Sequence, residues 1–177
     1  MPSPAPTREN LPNPTNDAYH TTDFSIPLSD RVTAYLASVT NDPNHNGFDA
    51  PLLREISIKK IRPETQEITY EFTVQPFMCN KDGNLHGGAA STLCDNLSST
   101  ALLTVSKPGF WSNFGVTRTL STIFYRPLPL GMKATVVCTV LNVGRRMASV
   151  RAVLRDDRGR DCVFCVHEKV DVGKSAL

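Results

Sequence analysis

Charge is nearly missing from one part of this chain. Between Gly83 and Ser106, twenty-four residues carry one formally charged side chain, Asp95, where a chain one-fifth charged would place about five. A surface helix normally wears Lys and Glu on its wet side, so a helix of this composition is covered on most faces. Other absences narrow the class. No run of eighteen apolar residues occurs, which argues against a membrane-spanning helix. The first thirty residues lack the apolar segment of a secretion signal. The five cysteines (Cys79, Cys94, Cys138, Cys162, Cys165) form no even framework, as expected of free thiols in a reducing compartment. Cys162-Val-Phe-Cys165 has no second pair and lies in an apolar alternating run, so no metal site is expected. A net charge of +2 speaks against a nucleic-acid surface. The arginines clustered from Arg145 to Arg160 are offset by Asp156, Asp157 and Asp161. Asn96-Leu97-Ser98, formally a glycosylation sequon, falls inside a helical pattern. Gly173-Lys174-Ser175 lacks the upstream glycine of a phosphate loop. An intracellular, cytoplasmic protein is expected. Glu9, Asp17 and a single arginine in the first twenty residues argue against the mitochondrial alternative.

What is present orders itself along the chain. Six of the thirteen prolines fall in the first thirty residues, so residues 1–25 are expected to form a flexible arm. Residues 26–50 hold a short helix from Asp30, with Ser29 as its cap, and a turn-rich break at Asn41–Gly47. A domain over 51–172 follows. Leu53–Ile61 and Glu67–Val74 alternate as two strands joined through Arg62-Pro63-Glu64-Thr65. A long helix then runs from about His86 to a Lys107-Pro108-Gly109 stop. Four further strands are predicted near 115–125, 132–143, 146–156 and 162–170. This order fits an α+β architecture, an antiparallel sheet wrapped around one buried helix.

At 100° per residue, Ala89, Leu93, Leu97 and Ala101 form one stripe of that helix, broadened by Ala90, Cys94 and Val105. It is expected to pack on the sheet. The opposite side carries Thr92, Asp95, Asn96, Ser99 and Thr100, small and almost uncharged, which suits a subunit interface. The helix start offers unpaired amides and the positive end of the dipole, and Gly87-Gly88 admits a ligand close to the backbone. An amide there would serve as half of an oxyanion hole, unless the glycine pair merely permits a tight loop. His86 and Asp95 stand about 13.5 Å apart along the axis and a half-turn around it. One small reacting group in one chain cannot meet both. A two-fold dimer that sets two such helices side by side removes the conflict. From the residues alone, Asp95 reads equally as a catalytic acid or as a carboxylate bridging the subunit seam.

Asn80-Lys-Asp-Gly-Asn-Leu-His86-Gly87-Gly88, with Asp95 nine residues after His86, resembles the hotdog-fold acyl-CoA thioesterases of the phenylacetate-pathway type and their small eukaryotic relatives. Val116-Thr117 through Arg126-Pro127, Gly131 and Gly144-Arg145-Arg146-Met-Ala resemble that family's later strands and turns, so the likeness covers about residues 50–170. It implies a hotdog fold and hydrolysis of acyl-CoA to acid and free CoA. Asp95 would be general base or nucleophile, and Thr117 would help to hold the water. Asn80 and the Gly87 amide would polarise the thioester, while His86 would orient the loop. Gly88, Ser99, Arg126, Arg145 and Arg146 would contact substrate, the arginines through the CoA phosphates. No cofactor is implied. The expected assembly is a homodimer pairing into a homotetramer. Burial of Asp95 would make it a base near neutral pH. Thr119 replaces an Asp or Asn frequent in the family. The alternatives are a hotdog hydratase or dehydratase of enoyl or 3-hydroxyacyl thioesters, and a non-catalytic acyl-CoA binder.

Overall fold

The helix that lacks charge lies at the centre of the molecule. The computed structural model of the chain describes residues 22–43 and 45–172. The expected arm, up to residue 21, and Gly173-Lys174-Ser175 lie outside the described residues. Helix α1 (Leu28–Thr40) and a single helical turn, α2 (Ala50–Leu53), precede β1 (Ser57–Arg62) and β2 (Glu67–Thr73). Helix α3 (Gly87–Ala101) follows, then β3 (Val116–Phe124), β4 (Lys133–Val143), β5 (Met147–Arg155) and β6 (Asp161–Val170). The six strands make one antiparallel sheet in the order β1-β2-β4-β5-β6-β3. This is the hotdog fold.

The alternation read in β2 holds, with Ile68, Tyr70 and Phe72 all facing inward and buried. They meet Ala134, Val136 and Cys138 of β4, and Val136, Cys138 and Val140 pair on to Leu154, Ala152 and Val150 of β5. Against this face α3 lays Ala90, Leu93, Cys94, Leu97 and Ala101, all buried. Each Leu contributes roughly 1.5–3 kcal/mol by leaving water. The small residues between them let the helix approach the sheet.

Three local expectations change. The strand assigned to Leu53–Ile61 starts only at Ser57, because Pro51 and the buried Leu52 and Leu53 close a helical turn ahead of it. Ile58 and Ile61 share one face despite odd spacing, since the register with β2 shifts between Ile58 and Lys60. Ser29 lies inside the first turn of α1, and Pro27 holds the cap position. On α3 the polar side is not wholly free for a partner. Ser98, Ser99 and Thr100 are buried within the same chain, Thr100 hydrogen-bonded to the Tyr70 hydroxyl.

The two sheet edges differ. β1 presents Lys59, Lys60 and Arg62, the charges that normally discourage strand addition. β3 carries one charge, Arg118. All its residues are exposed except the half-buried Leu120 and Thr122, with Ile123 at 48% and Phe124 at 54%.

Candidate active site

Asp95 projects from the middle of α3 toward the start of β3. Two features of β3 bring Thr117 to it. Gly115 takes φ +59°, and a Cβ there would lie 2.5 Å from the Val170 carbonyl oxygen, so only glycine fits this approach. The register with β6 then shifts between Thr117 and Thr119, pairing Thr117 with Lys169, Thr119 with Glu168 and Leu120 with His167. The bulge aims Thr117 inward along with Leu120. Thr119 falls opposite Glu168, so the departure from the family at this position does not bear on Asp95.

The Thr117 hydroxyl donates to Asp95 Oδ1 at 2.7 Å. His167 Nε2 lies 3.2 Å from the same oxygen and 2.9 Å from Thr117 Oγ1, and its Nδ1 lies 2.6 Å from Ser98 Oγ. The hydrogen-bond network assigns the tautomer. Thr117 gives its proton to the carboxylate and the carboxylate only accepts, so Nε2 carries the ring proton. Nδ1 then accepts from Ser98. His167 is 0% exposed, and burial, helped by the nearby positive charge of Lys169, pushes its pKa down to about 4 against the opposing pull of Asp95. The imidazole is therefore a neutral donor. Lys169, 3% exposed, donates to Ser99 Oγ at 2.7 Å, and Ser99 in turn donates to the Asp95 carbonyl at 2.8 Å. Burial lowers its pKa to about 8, opposed by Asp95. Asp95 itself is 40% exposed, and Oδ2 accepts no hydrogen bond from the described residues. The apolar burial expected around it is thus absent: polar groups clamp one carboxylate oxygen and leave the other open.

The start of α3 is built from backbone. His86 is the N-cap, its Nδ1 accepting from the Gly88 amide at 2.9 Å. Gly88 thereby spends its N–H on the cap, while Gly87 lines the adjoining cavity. The Gly87 amide has no backbone acceptor among the described residues. Asn80 Oδ1 accepts from the amides of Asp82 and Asn84, at 3.0 and 3.1 Å, which folds the loop and leaves its NH₂ group to face outward.

Two separate cavities result, with no lining residue in common. One, of about 400 Å³, is lined by Asn80, Gly87, Phe124 and Arg126 among others. The other, of about 340 Å³, is lined by Asp95, Ser99, Thr117 and Lys169, with Tyr35, Asn96, Asn113 and Phe114. The expected residues therefore divide between the start and the middle of α3. The arginines divide as well. Arg126 follows β3 and donates to the Asp161 carbonyl at 2.6 Å. Arg145 and Arg146 sit on the β4–β5 turn, beside Val170 and Val116, at the opposite end of β3 and roughly 26 Å away. A single chain cannot gather all three around one phosphate group.

Sequence reasoning missed Ser98, His167 and Lys169. A signal existed. Counting by twos from the buried Cys165 puts His167 and Lys169 on the core face of β6, where such residues are rarely found unpartnered. Among the described residues no group of three metal-ligating side chains occurs, and no helix is long and apolar enough to cross a membrane.

Comparison with known proteins agrees with this architecture. The family model described as the thioesterase superfamily matches residues 82–163. The proofreading thioesterase EntH of Klebsiella pneumoniae is 34% identical over 93 residues, 52% of this chain and 61% of that protein. Mouse acyl-coenzyme A thioesterase 13 is 28% identical over 104 residues, 58% of this chain and 68% of the relative. The crystal structure of zebrafish thioesterase superfamily member 2 shares the fold with a TM-score of 0.69 at 24% identity, over 80% of this chain and 96% of that one. The matched span thus covers about three-fifths of the length of the Klebsiella protein. With its six-stranded sheet wrapped around α3, the chain has the hotdog fold, and its residues 82–163 match the thioesterase superfamily.

Proposed function

We propose that this chain hydrolyses acyl-CoA thioesters at a site shared by two protomers, with the residues of 51–172 as its catalytic domain. One observation carries the mechanism: Asp95 lines a cavity and is fixed through Oδ1 by Thr117 and His167, while Oδ2 accepts no hydrogen bond from the described residues. A carboxylate so held can accept a proton from a water molecule and direct it at a carbonyl carbon. The negative charge that develops on the thioester oxygen needs donors in place beforehand. The Gly87 amide and the Asn80 side chain are such donors, but they line the other cavity. Pairing two β3 edges, each with the single charge of Arg118, side by side would extend the sheet across a dimer and set the Asp95 cavity of one protomer against the Gly87 cavity of its partner. Further pairing into a tetramer is compatible with this arrangement. The name of the mouse relative, an acyl-coenzyme A thioesterase, supports the substrate class. Arg126 of one chain and Arg145 and Arg146 of the other are the candidates for the CoA phosphates.

Release of free thiol from a panel of acyl-CoA esters tests the proposal. The wild-type protein should turn over, and Asp95→Asn should lose on the order of 10²–10⁴-fold in kcat while keeping its fold. An Asp95→Asn protein of full activity would remove Asp95 as the base. The closeness of His167 to Asp95 does not favour a hydratase. Its ring is sealed behind the carboxylate, with Nδ1 tied to Ser98, and has no path to a substrate carbon. Crotonyl-CoA should accordingly be hydrolysed without hydration of its double bond.

A further inference from the structure

We propose that Lys169 is a self-acylation site: its side-chain amine attacks the thioester of bound acyl-CoA and takes the acyl group as a stable amide. The inference rests on the acyl-CoA reading above. Lys169 sits where such a reaction is favoured by geometry. It is the cross-strand partner of Thr117, on the same face, and Thr117 holds the catalytic candidate Asp95 at 2.7 Å. Directly opposed residues of an antiparallel pair have Cβ atoms about 5 Å apart. Lys169 lines the cavity that Asp95 lines, so an acyl group delivered to Asp95 enters the space that Lys169 borders. Its one hydrogen bond is to Ser99 Oγ, whereas an ammonium has three N–H groups to place.

Chemistry points the same way. Burial in a poorly hydrated pocket disfavours the ammonium, so part of the Lys169 population is the neutral, nucleophilic amine near pH 8. The charged and titratable groups around it are Asp95 from α3, His167 from its own strand and Tyr35 from α1. Of these, Asp95 opposes deprotonation. In the reaction the C–N bond forms as the C–S bond breaks, and CoA leaves as the thiol, carrying the proton that the amine loses. The product has no cation beside Asp95 and a cavity partly filled by the acyl group. Each such event therefore silences a site that hydrolysis would have cleared, and the two outcomes compete for the same bound substrate.

The test is to incubate the wild-type protein with acetyl-CoA at pH 8, measuring thiol release and mapping acetylated lysines by peptide mass spectrometry on the same sample. Acetylation of Lys169 should exceed that of the exposed Lys60, Lys81 and Lys133 by at least about tenfold. It should grow as pH rises from 7 to 9, and should accumulate faster in Asp95→Asn, where hydrolysis no longer competes. Thiol turnover with Lys169 unmodified, or modified no more than the exposed lysines, overturns the inference and leaves the hydrolase standing. Acetylated Lys169 without turnover keeps the inference and removes the hydrolase. Neither product overturns both. The wild-type peptide map decides the question even if Lys169→Arg fails to fold; where it folds, the adduct at this position should be absent.

Discussion

The start and the middle of α3 are made from different materials. At its start the proposed donors are backbone amides, and the side chains arrange them: His86 caps, Asn80 folds the loop, and Gly87 lines the cavity. At its middle the proposed base is a side chain, held by others from strands far away in sequence. Thr117 lies twenty-two residues on from Asp95, and His167 reaches Asp95 from β6. A backbone site tolerates little change locally but depends on few distant contacts. A side-chain network of this kind depends on the whole sheet being in register. The difference also bears on assembly, because one protomer holds the two apart in separate cavities.

That separation gives the largest effect that can be sought short of removing Asp95 itself. A protein carrying only Asp95→Asn and one carrying only Gly87→Ala should both be poorly active. Mixed by co-expression or by unfolding and refolding together, they should recover up to about a quarter of wild-type activity, since half of the random dimers then contain one intact site of two. Recovery absent despite verified mixing would mean that each chain completes its own site.

Gly87→Ala alone is the cleaner probe of the backbone end. A Cβ at Gly87 would meet only the Phe124 ring, at 3.5 Å, an ordinary contact. Stability should therefore be unchanged or slightly raised, alanine being the better helix former. The amide N–H is kept, so the effect is steric: a methyl group at the cavity mouth should displace the bound thioester from that N–H and lower kcat/KM by roughly tenfold to a hundredfold. Wild-type kinetics from this variant would identify the glycine as a packing device. On the side-chain end, Thr117→Val keeps the shape of the strand residue but deletes the donor to Asp95. A hydrogen bond to a charged group contributes about 1.5–3 kcal/mol, so a loss of roughly tenfold or more in kcat is expected. An unaltered kcat would show that Asp95 does not need this clamp.

The same contrast explains what could be read in advance. The start of α3 was legible because Asn80, His86, Gly87 and Gly88 are neighbours in sequence, and a cap, a turn and a glycine pair act locally. The apolar stripe through Leu93 and Leu97 was legible because helical periodicity needs no tertiary knowledge. Ser98, His167 and Lys169 were not found, since their meaning exists only once β6 is laid beside β3 and the inward face of each is known. The bulge between Thr117 and Thr119 was likewise hidden: it changes which residues face inward without any mark in composition. The polar side of α3 was misjudged in part for the same reason. Ser99 and Thr100 look like residues for a partner, but Lys169 and Tyr70 of the same chain claim them.

The smallest of these effects concerns how the side-chain end withstands acid. In the folded chain His167 has its pKa pushed down to about 4 from the ordinary 6.5. Between those two values the unfolded chain binds the proton and the folded chain does not, so stability falls as pH is lowered from 6.5 toward 4. The stability associated with the neutral ring is intact above pH 6.5. A shift of this size corresponds to on the order of 3 kcal/mol across the window. The start of α3 has no buried titrating group of this kind, so the loss belongs to one end. The comparison is made between variants so that every other titrating group of the chain cancels. His167→Gln offers an amide in place of the ring N–H and cannot titrate. Its urea midpoint should change less between pH 7 and pH 4.5 than that of the wild type, by an amount near 1–2 kcal/mol once converted. At pH 7 the substitution should cost some stability, because the amide cannot reproduce both the Ser98 and the Thr117 contacts. Parallel pH dependence in the two proteins would move the acid sensitivity away from this ring and leave His167 as packing alone.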